Sequence, residues 1–309
     1  MESYLVLDIG GTFVKYAIMT RDGQFAAQGK VPSSCESEEA MLASLALVRE
    51  RVDTSGCKGL AISMPGRIDT TAGIARTGGA YAWIHDYPAA ERYGKVFDLP
   101  ATIANDGKCA ALAESWLGAL SDVDSGAVLV LGTGVGGGIV LDGRVWMGAT
   151  GGAGELSGLM ANFDLLRGGF TAEAYGAMWA NRISASAITS AFVIRKGLEQ
   201  ADGIMLFDAY EAGDADAIDV LDEFSSQAAA GILSLQATLD LPRYAIGGGI
   251  SARPATTELI RAKVDALFDA GVNLIPFGRP EIVTCAFGNE ANLIGALAFH
   301  LKWKGLEDD

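Results

Sequence analysis

Near its start the chain reads Leu5-Val6-Leu7-Asp8-Ile9-Gly10-Gly11-Thr12-Phe13-Val14-Lys15. An apolar run closes on a carboxylate, reverses at two glycines, and resumes at Val14. Successive glycines leave the backbone N–H groups of a turn open to an anion. A carboxylate at the strand end can hold a metal ion, or its water, beside that anion. The segment therefore reads as a β-hairpin that carries phosphate and magnesium. An ordinary hairpin turn is the competing reading, because Gly-Gly between alternating apolar residues is a normal hairpin signal. Motifs further along decide between the two.

The chain has 309 residues, half of them hydrophobic, enough for two domains with a sizeable core. Its formal charge of −15 argues against a nucleic-acid partner, which needs a basic face. Cys35, Cys57, Cys109 and Cys285 are scattered without metal-cage or redox spacing. Free buried thiols in a reducing compartment are expected. No basic-then-apolar leader opens the chain, and no apolar run approaches the roughly 20 residues of a membrane helix. The expectation is a cytoplasmic protein with no membrane partner.

Strands are predicted over residues 3–8, 14–19, 24–31 and 58–64, with a helix from Ser37, a plausible N-cap, to Val52. Residues 65–100 read as loop-rich. A strand over 101–104 stops at Asn105-Asp106, and helical spacing follows through Cys109, Leu112, Ala113, Trp116, Leu117 and Leu120. After the Asp-rich stretch 121–125 the pattern restarts: a strand at 126–131, a glycine turn, then strands at 137–141 and 144–147. Ile218, Leu221, Phe224, Ala228, Ile232, Leu235 and Leu239 form a long apolar stripe that reads as core packing. A strand at 243–247, a helix at 254–270, a strand at 280–286 and a helix at 289–303 follow. Alternating strands and helices make this an α/β chain.

Gly132-Thr133-Gly134-Val135-Gly136-Gly137-Gly138 contains G-x-G-x-x-G, but a dinucleotide fingerprint must open a helix. Here an alternating hairpin follows, and no Walker loop occurs, which leaves a second phosphate-cradling turn. Asp106 falls at a strand end just before a helix, where ligands gather in α/β folds. There it can take a proton from a hydroxyl that attacks phosphorus, or it can merely cap the helix. Gly151-Gly152-Ala153-Gly154-Glu155 is a flexible loop ending in a carboxylate suited to polyol hydroxyls, or to plain solvent. Gly247-Gly248-Gly249 allows close approach of a flat ligand such as adenine, or forms a simple strand-to-helix turn.

Together these motifs resemble the ROK family, sugar kinases of the actin-like ATPase superfamily. Asp8-x-Gly10-Gly11-Thr12-x-x-Lys15 is similar to its first phosphate motif, and Asn105-Asp106 with Ala-Leu-Ala-Glu at 111–114 to its catalytic segment. Gly132-Thr133-Gly134-x-Gly136-Gly137-Gly138 is similar to its second phosphate motif, residues 151–155 to its sugar loop, and Gly247-Gly248-Gly249-Ile250-Ser251 to its adenosine motif. The match keeps this order from residue 4 to about 300. The resemblance implies a two-domain actin-like (ribonuclease H-like) fold with nucleotide and sugar in the interdomain cleft. Residues 1–118 with a C-terminal helix at 290–309 would form the smaller domain and 119–289 the larger one. It implies ATP-dependent phosphorylation of a sugar 6-hydroxyl with Asp106 as general base. Asn105 and Glu155 would orient the sugar, and Gly66 and Gly79 would line its pocket. Asp8 would organise Mg²⁺, while Gly10, Gly11, Thr12, Lys15, Gly132, Thr133, Gly134, Gly248 and Gly249 would bind nucleotide and phosphate.

Many members of the family follow the sugar-loop glutamate with Ile-Gly-His and a cysteine-rich zinc motif. Here Glu155 is followed by Leu156-Ser157-Gly158, and residues 159–190 hold neither cysteine nor histidine, so no structural zinc is expected. A histidine–glutamate pair that grips the anomeric side of a monosaccharide in zinc-bearing relatives is also missing. This resembles the β-glucoside kinase branch and implies a substrate such as cellobiose or gentiobiose, with glucose or a hexosamine as the alternative. Trp83 and Tyr87 are expected to stack on sugar faces, and Lys108 to be a solvated first-turn lysine. A repressor of this family would need an N-terminal helix-turn-helix, for which Asp8 leaves no room. A non-catalytic sugar sensor is the competing class, and the presence of Asp106 speaks against it. Relatives are often homodimers, and the oligomeric state stays open.

Overall fold

The computed structural model describes residues 2–272 and 274–303, which divide into two compact units. The first comprises Met1–Leu117, Arg144–Gly154 and Glu290–Asp309; the second comprises Gly118–Gly143 and Glu155–Asn289.

The first unit is built on β1 (Ser3–Ile9), β2 (Phe13–Thr20), β3 (Phe25–Pro32), β4 (Cys57–Met64) and β8 (Ala101–Asn105), in the order β3-β2-β1-β4-β8. The first three strands form an antiparallel meander, and β4 and β8 continue the sheet in parallel with β1. Residues 4–9 of β1 are all buried, as an apolar strand covered on both faces should be. Leu5, Leu7 and Ile9 join a core with Met41, Leu45 and Val48 of α1 (Glu38–Arg51) and Tyr93 and Phe97 of α2 (Ala89–Phe97). Tyr4 meets the His300 ring edge-on, at 5.5 Å between centroids. Ser37 caps α1 by accepting from the Ala40 amide, and acidic residues open that helix while arginines close it, as its dipole favours.

Two further helices, α3 (Asp106–Leu117) and α10 (Ala291–Trp303), pack backbone to backbone. A Cβ added to Gly295 would stand 1.7 Å from the Cys109 carbonyl oxygen, so only glycine permits this approach.

The stretch 65–100, read from sequence as loop-rich, holds α2 and a small sheet: β5 (Ile68–Asp69), β6 (Ile74–Thr77) and β7 (His85–Tyr87). Strands of two to four residues are too short to show alternation. Residues 144–154, which include β11 (Arg144–Val145), were not expected in the first unit. Gly151, at φ +78°, lies against the Ile68 carbonyl, where a Cβ would come within 2.6 Å.

In the second unit, β9 (Gly126–Leu131) pairs antiparallel with β10 (Val135–Leu141) and parallel with β12 (Arg243–Gly247), which pairs parallel with β13 (Glu281–Thr284). This β10-β9-β12-β13 order repeats the β2-β1-β4-β8 pattern of one antiparallel and two parallel pairings. The helices are α4 (Ala172–Gly176), α5 (Ala180–Ile183), α6 (Ala185–Lys196), α7 (Gly203–Glu211), α8 (Ala215–Leu239) and α9 (Pro254–Ala270). Five residues of the expected α8 stripe (Leu221, Phe224, Ala228, Ile232 and Leu235) enter the core, whereas Ile218 is exposed. The Trp179 ring lies on Gly231, where a Cβ would come within 2.1 Å, and its indole N–H donates to the Gln227 carbonyl at 3.0 Å.

Candidate active site

The carboxyl ends of β1, β4 and β8, where α/β sheets place ligands, carry Asp8, the Pro65-Gly66 turn and Asn105-Asp106. Strand register sets Asp8 opposite Lys15 on β2 and Ser63 on β4. Asp8 Oδ2 pairs with Lys15 Nζ at 3.3 Å. Asp8 Oδ1 accepts from Ser63 Oγ at 3.2 Å and from Asn292 Nδ2, at the start of α10, at 3.1 Å. The carboxylate is thus buried and held by three donors.

The turn after Asp8 closes through Gly10 N–H donating to the Phe13 carbonyl at 3.0 Å. Gly11 and Thr12 are exposed, and their amides donate to no described residue. Tyr81 fastens the turn: its hydroxyl donates to the Gly10 carbonyl at 2.7 Å and accepts from Ser33 Oγ at 2.8 Å. Burial pushes the Tyr81 phenol up to about 12.

Asn105 joins three pieces of this surface. Its Nδ2 donates to the Gly66 carbonyl and to Asp106 Oδ1, each at 3.0 Å, while its Oδ1 accepts from the Lys108 amide at 3.2 Å. Asn105 therefore supplies the N-cap bond of α3 that sequence reasoning weighed for Asp106. Asp106 is half-buried, and its Oδ1 also accepts from the Gly107 amide at 2.8 Å. Gly66, at φ +101°, could not carry a Cβ, which would stand 2.1 Å from the Thr77 carbonyl oxygen. Gly79 packs on Pro65 and Gly66. Burial pushes the Cys109 thiol up; the hydrogen bond with Ser63 and the Lys108 charge oppose that shift, while Asp106 and Asp8 add to it. Asp8, Ser63, Cys109 and Asp106 thus form one electrostatic neighbourhood.

Two expectations for this surface are corrected. Lys108 is 2% exposed, not solvated, because α3 is buried from Gly107 to Glu114. Trp83 and Tyr87 do not form an exposed stacking platform. Trp83 packs edge-on to Tyr81 and Tyr87 against the core of the first unit, and its buried indole N–H has no hydrogen-bond partner among the described residues. Tyr87 donates to Glu38 Oε1 at 2.8 Å. Sequence reasoning missed Ser63, Tyr81 and Asn292. Only Ser63 left a signal there, as the one hydroxyl in the apolar run of β4.

In the second unit, Gly132 N–H donates to the Gly134 carbonyl at 3.0 Å, closing the turn between β9 and β10. Thr133 and Gly134 are exposed, and their amides donate to no described residue. Nothing lies within 4 Å of a Cβ at Gly134 or Gly249, so no protein contact requires glycine there. This open space, beside unused amides, suits a phosphate chain and a flat base. Gly248, at φ +92°, touches the Leu131 carbonyl, bringing the two glycine clusters together. Glu155 is exposed, accepts from Ser157 Oγ at 2.8 Å, and precedes a single helical turn, 156–158. Among the described residues, a Cβ at Gly158 would meet the Met178 terminal methyl, at 3.7 Å.

Among the described residues no three His, Cys, Asp or Glu side chains gather as a metal site. A lone buried carboxylate beside a phosphate turn still fits Mg²⁺, which commonly binds through one or two carboxylates plus substrate phosphates and water. No helix among the described residues is long and apolar enough to cross a membrane.

The ROK family sequence profile matches residues 4–302. A β-glucoside kinase of Klebsiella pneumoniae is 29% identical over 304 residues, 98% of this chain and 97% of that protein. A β-glucoside kinase of Listeria monocytogenes is 28% identical over 306 residues, 96% of each chain. Among solved structures, a ROK family protein from Streptococcus pneumoniae TIGR4 in complex with sucrose superposes with a TM-score of 0.87 at 25% identity, covering 99% of this chain and 100% of that one.

Proposed function

This chain belongs to the ROK family and has the two-domain actin-like ATPase fold of its sugar kinases, and on that premise we propose that it transfers the γ-phosphoryl group of ATP to the 6-hydroxyl of a sugar. The carrying observation is Asp106: a carboxylate at a strand end, on the first turn of α3, with one oxygen fixed by Asn105 Nδ2 and the Gly107 amide.

Asp106 accepts the proton of the sugar hydroxyl as that oxygen forms its bond to the γ-phosphorus. The bond from phosphorus to the ADP oxygen breaks, and the proton later leaves Asp106 for solvent. Asn105 and Glu155 orient the sugar hydroxyls, and the backbone at Gly66 and Gly79 lines the sugar pocket. The open amides of Gly11, Thr12, Thr133 and Gly134 hold phosphate oxygens, with Gly10 and Gly132 shaping the two turns and Lys15 adding positive charge. Gly248 and Gly249 take the adenosine. Asp8 would hold Mg²⁺, which offsets charge on the phosphates when bound. A cytoplasmic location, where ATP is supplied, belongs to the same proposal.

For the acceptor we favour a β-glucoside such as cellobiose or gentiobiose, phosphorylated on its non-reducing glucose. The names of the two relatives and the disaccharide in the Streptococcus structure support this. Purified enzyme, ATP and a panel of glucose, hexosamines, cellobiose and gentiobiose test it. Turnover of a monosaccharide well above every disaccharide refutes the acceptor class. Asp106→Asn should lower kcat by about 10²–10⁴-fold while sugar binding persists; near-normal turnover refutes the mechanism.

A further inference from the structure

Beside Gly66 the first unit holds a groove of about 370 Å³, at the low end of the ~300–1,000 Å³ of ligand sites. One wall is residues 67–71, the other residues 147–151. Both walls are fixed. The Arg67 amide donates to Thr77 Oγ1 at 3.0 Å, and the Arg67 carbonyl accepts from the Arg76 amide at 2.8 Å. Opposite, Gly151 is seated on the Ile68 carbonyl.

The charged side chains on these walls differ in what they already bind. Arg76 is neutralised by Asp69 at 2.6 Å and Asp86 at 2.9 Å. The exposed Arg67 guanidinium, by contrast, has no ion pair or hydrogen bond with any described residue. Thr70, Thr71 and Thr150 also line the groove. Met147 adds an apolar surface, and the next residue back, Trp146, is 53% exposed.

This chemistry selects among ligands. Hydroxyls both donate and accept, and the groove offers the Arg67 guanidinium, threonine side chains of either sense, and the edge of an Asp69 carboxylate already held by Arg76 and the Ala72 amide. A simple anion would face that carboxylate. An apolar aglycone would leave the arginine and the hydroxyls unpaired in a desolvated site. A hexose ring, polar at its rim and apolar on its face, satisfies both the donors and Met147.

We infer that this groove is a subsite for the second sugar unit of the acceptor, with Arg67 as its principal hydrogen-bond donor. The inference rests on the kinase reading and adds a location and residues to it. Arg67 follows Gly66, whose carbonyl is tied to Asn105, so the groove begins one residue from the expected sugar pocket.

The test compares cellobiose with glucose as acceptors for the full-length wild type, Arg67→Ala, and Thr150→Trp, which fills the groove. Both positions are exposed, so the variants should fold, and circular dichroism checks this. The ratio of kcat/KM for cellobiose over that for glucose should fall about tenfold to a hundredfold in Arg67→Ala. It should also fall in Thr150→Trp. A ratio within twofold of wild type in both variants overturns the subsite. Wild-type turnover of glucose without cellobiose also overturns it, while leaving the kinase reading intact. Absence of any sugar phosphorylation by wild type refutes the kinase reading itself.

Discussion

Gly295→Ala places a methyl group 1.7 Å from the Cys109 carbonyl oxygen, 2.4 Å from its carbon and 2.7 Å from its Cα. Ordinary contact begins near 3.5 Å, so α3 and α10 must separate by about 1.5–2 Å at that level. Neither helix can yield by moving a flexible side chain, because the obstacle is backbone. Overpacking of this kind costs about 1–3 kcal/mol. Asp106 sits three residues before Cys109 on the same helix, so the displacement carries the proposed general base with it. A misplacement near 1 Å can cost about 10²-fold in rate. Urea unfolding and steady-state kinetics at saturating ATP and sugar measure the two effects separately. The midpoint should fall and kcat should drop about 10–100-fold. Gly176→Ala, where nothing lies within 4 Å of the new Cβ, serves as control and should change neither. A Gly295→Ala enzyme that loses stability but keeps its kcat refutes the coupling of this packing to catalysis; one that loses neither refutes the packing argument.

Asn292→Ala removes one of the three groups on Asp8 and leaves Ser63 and Lys15 in place. The KM for MgATP should rise about 10- to 150-fold, from the roughly 1.5–3 kcal/mol of a hydrogen bond to a charged group, with sugar KM little changed; a rise confined to sugar KM contradicts the role given to Asp8. The Tyr81 pKa, raised by burial to about 12 from an ordinary 10.0, predicts an alkaline stability loss. The unfolded phenol ionises first, so this contribution is complete below the unfolded pKa and fades as pH rises toward the folded one. The unfolding midpoint should fall between pH 10 and 12, and Tyr81→Phe should flatten that slope; an unaltered slope rules Tyr81 out as a source.

The hairpins, the edge between β8 and α3, and the order of the motifs were readable because each apolar run closes on a glycine or a carboxylate with a defined backbone job. Other features are set by tertiary fit, which leaves no periodic trace. Residues 144–154 belong with the first unit because Gly151 seats on Ile68. Lys108 is buried because its helix is enclosed, although lysine in a first turn ordinarily reads as solvated. Trp83 and Tyr87 looked like a stacking surface because composition cannot distinguish an aromatic that faces solvent from one packed edge-on to its neighbours. Arg67 and Asn292 carry no motif at all.

Asn292 meets Asp8 from 284 positions away. On the ribosome, the phosphate turn therefore emerges long before the helix that completes its support. Until α10 is made, β1 lacks part of its cover, and Asp8 lacks one of its donors. Contacts this distant in sequence form late and slow folding. A nascent chain should accordingly shelter an incomplete, apolar-edged sheet for most of its synthesis. Asp8 gains its full set of donors only once Asn292 and α10 have been made.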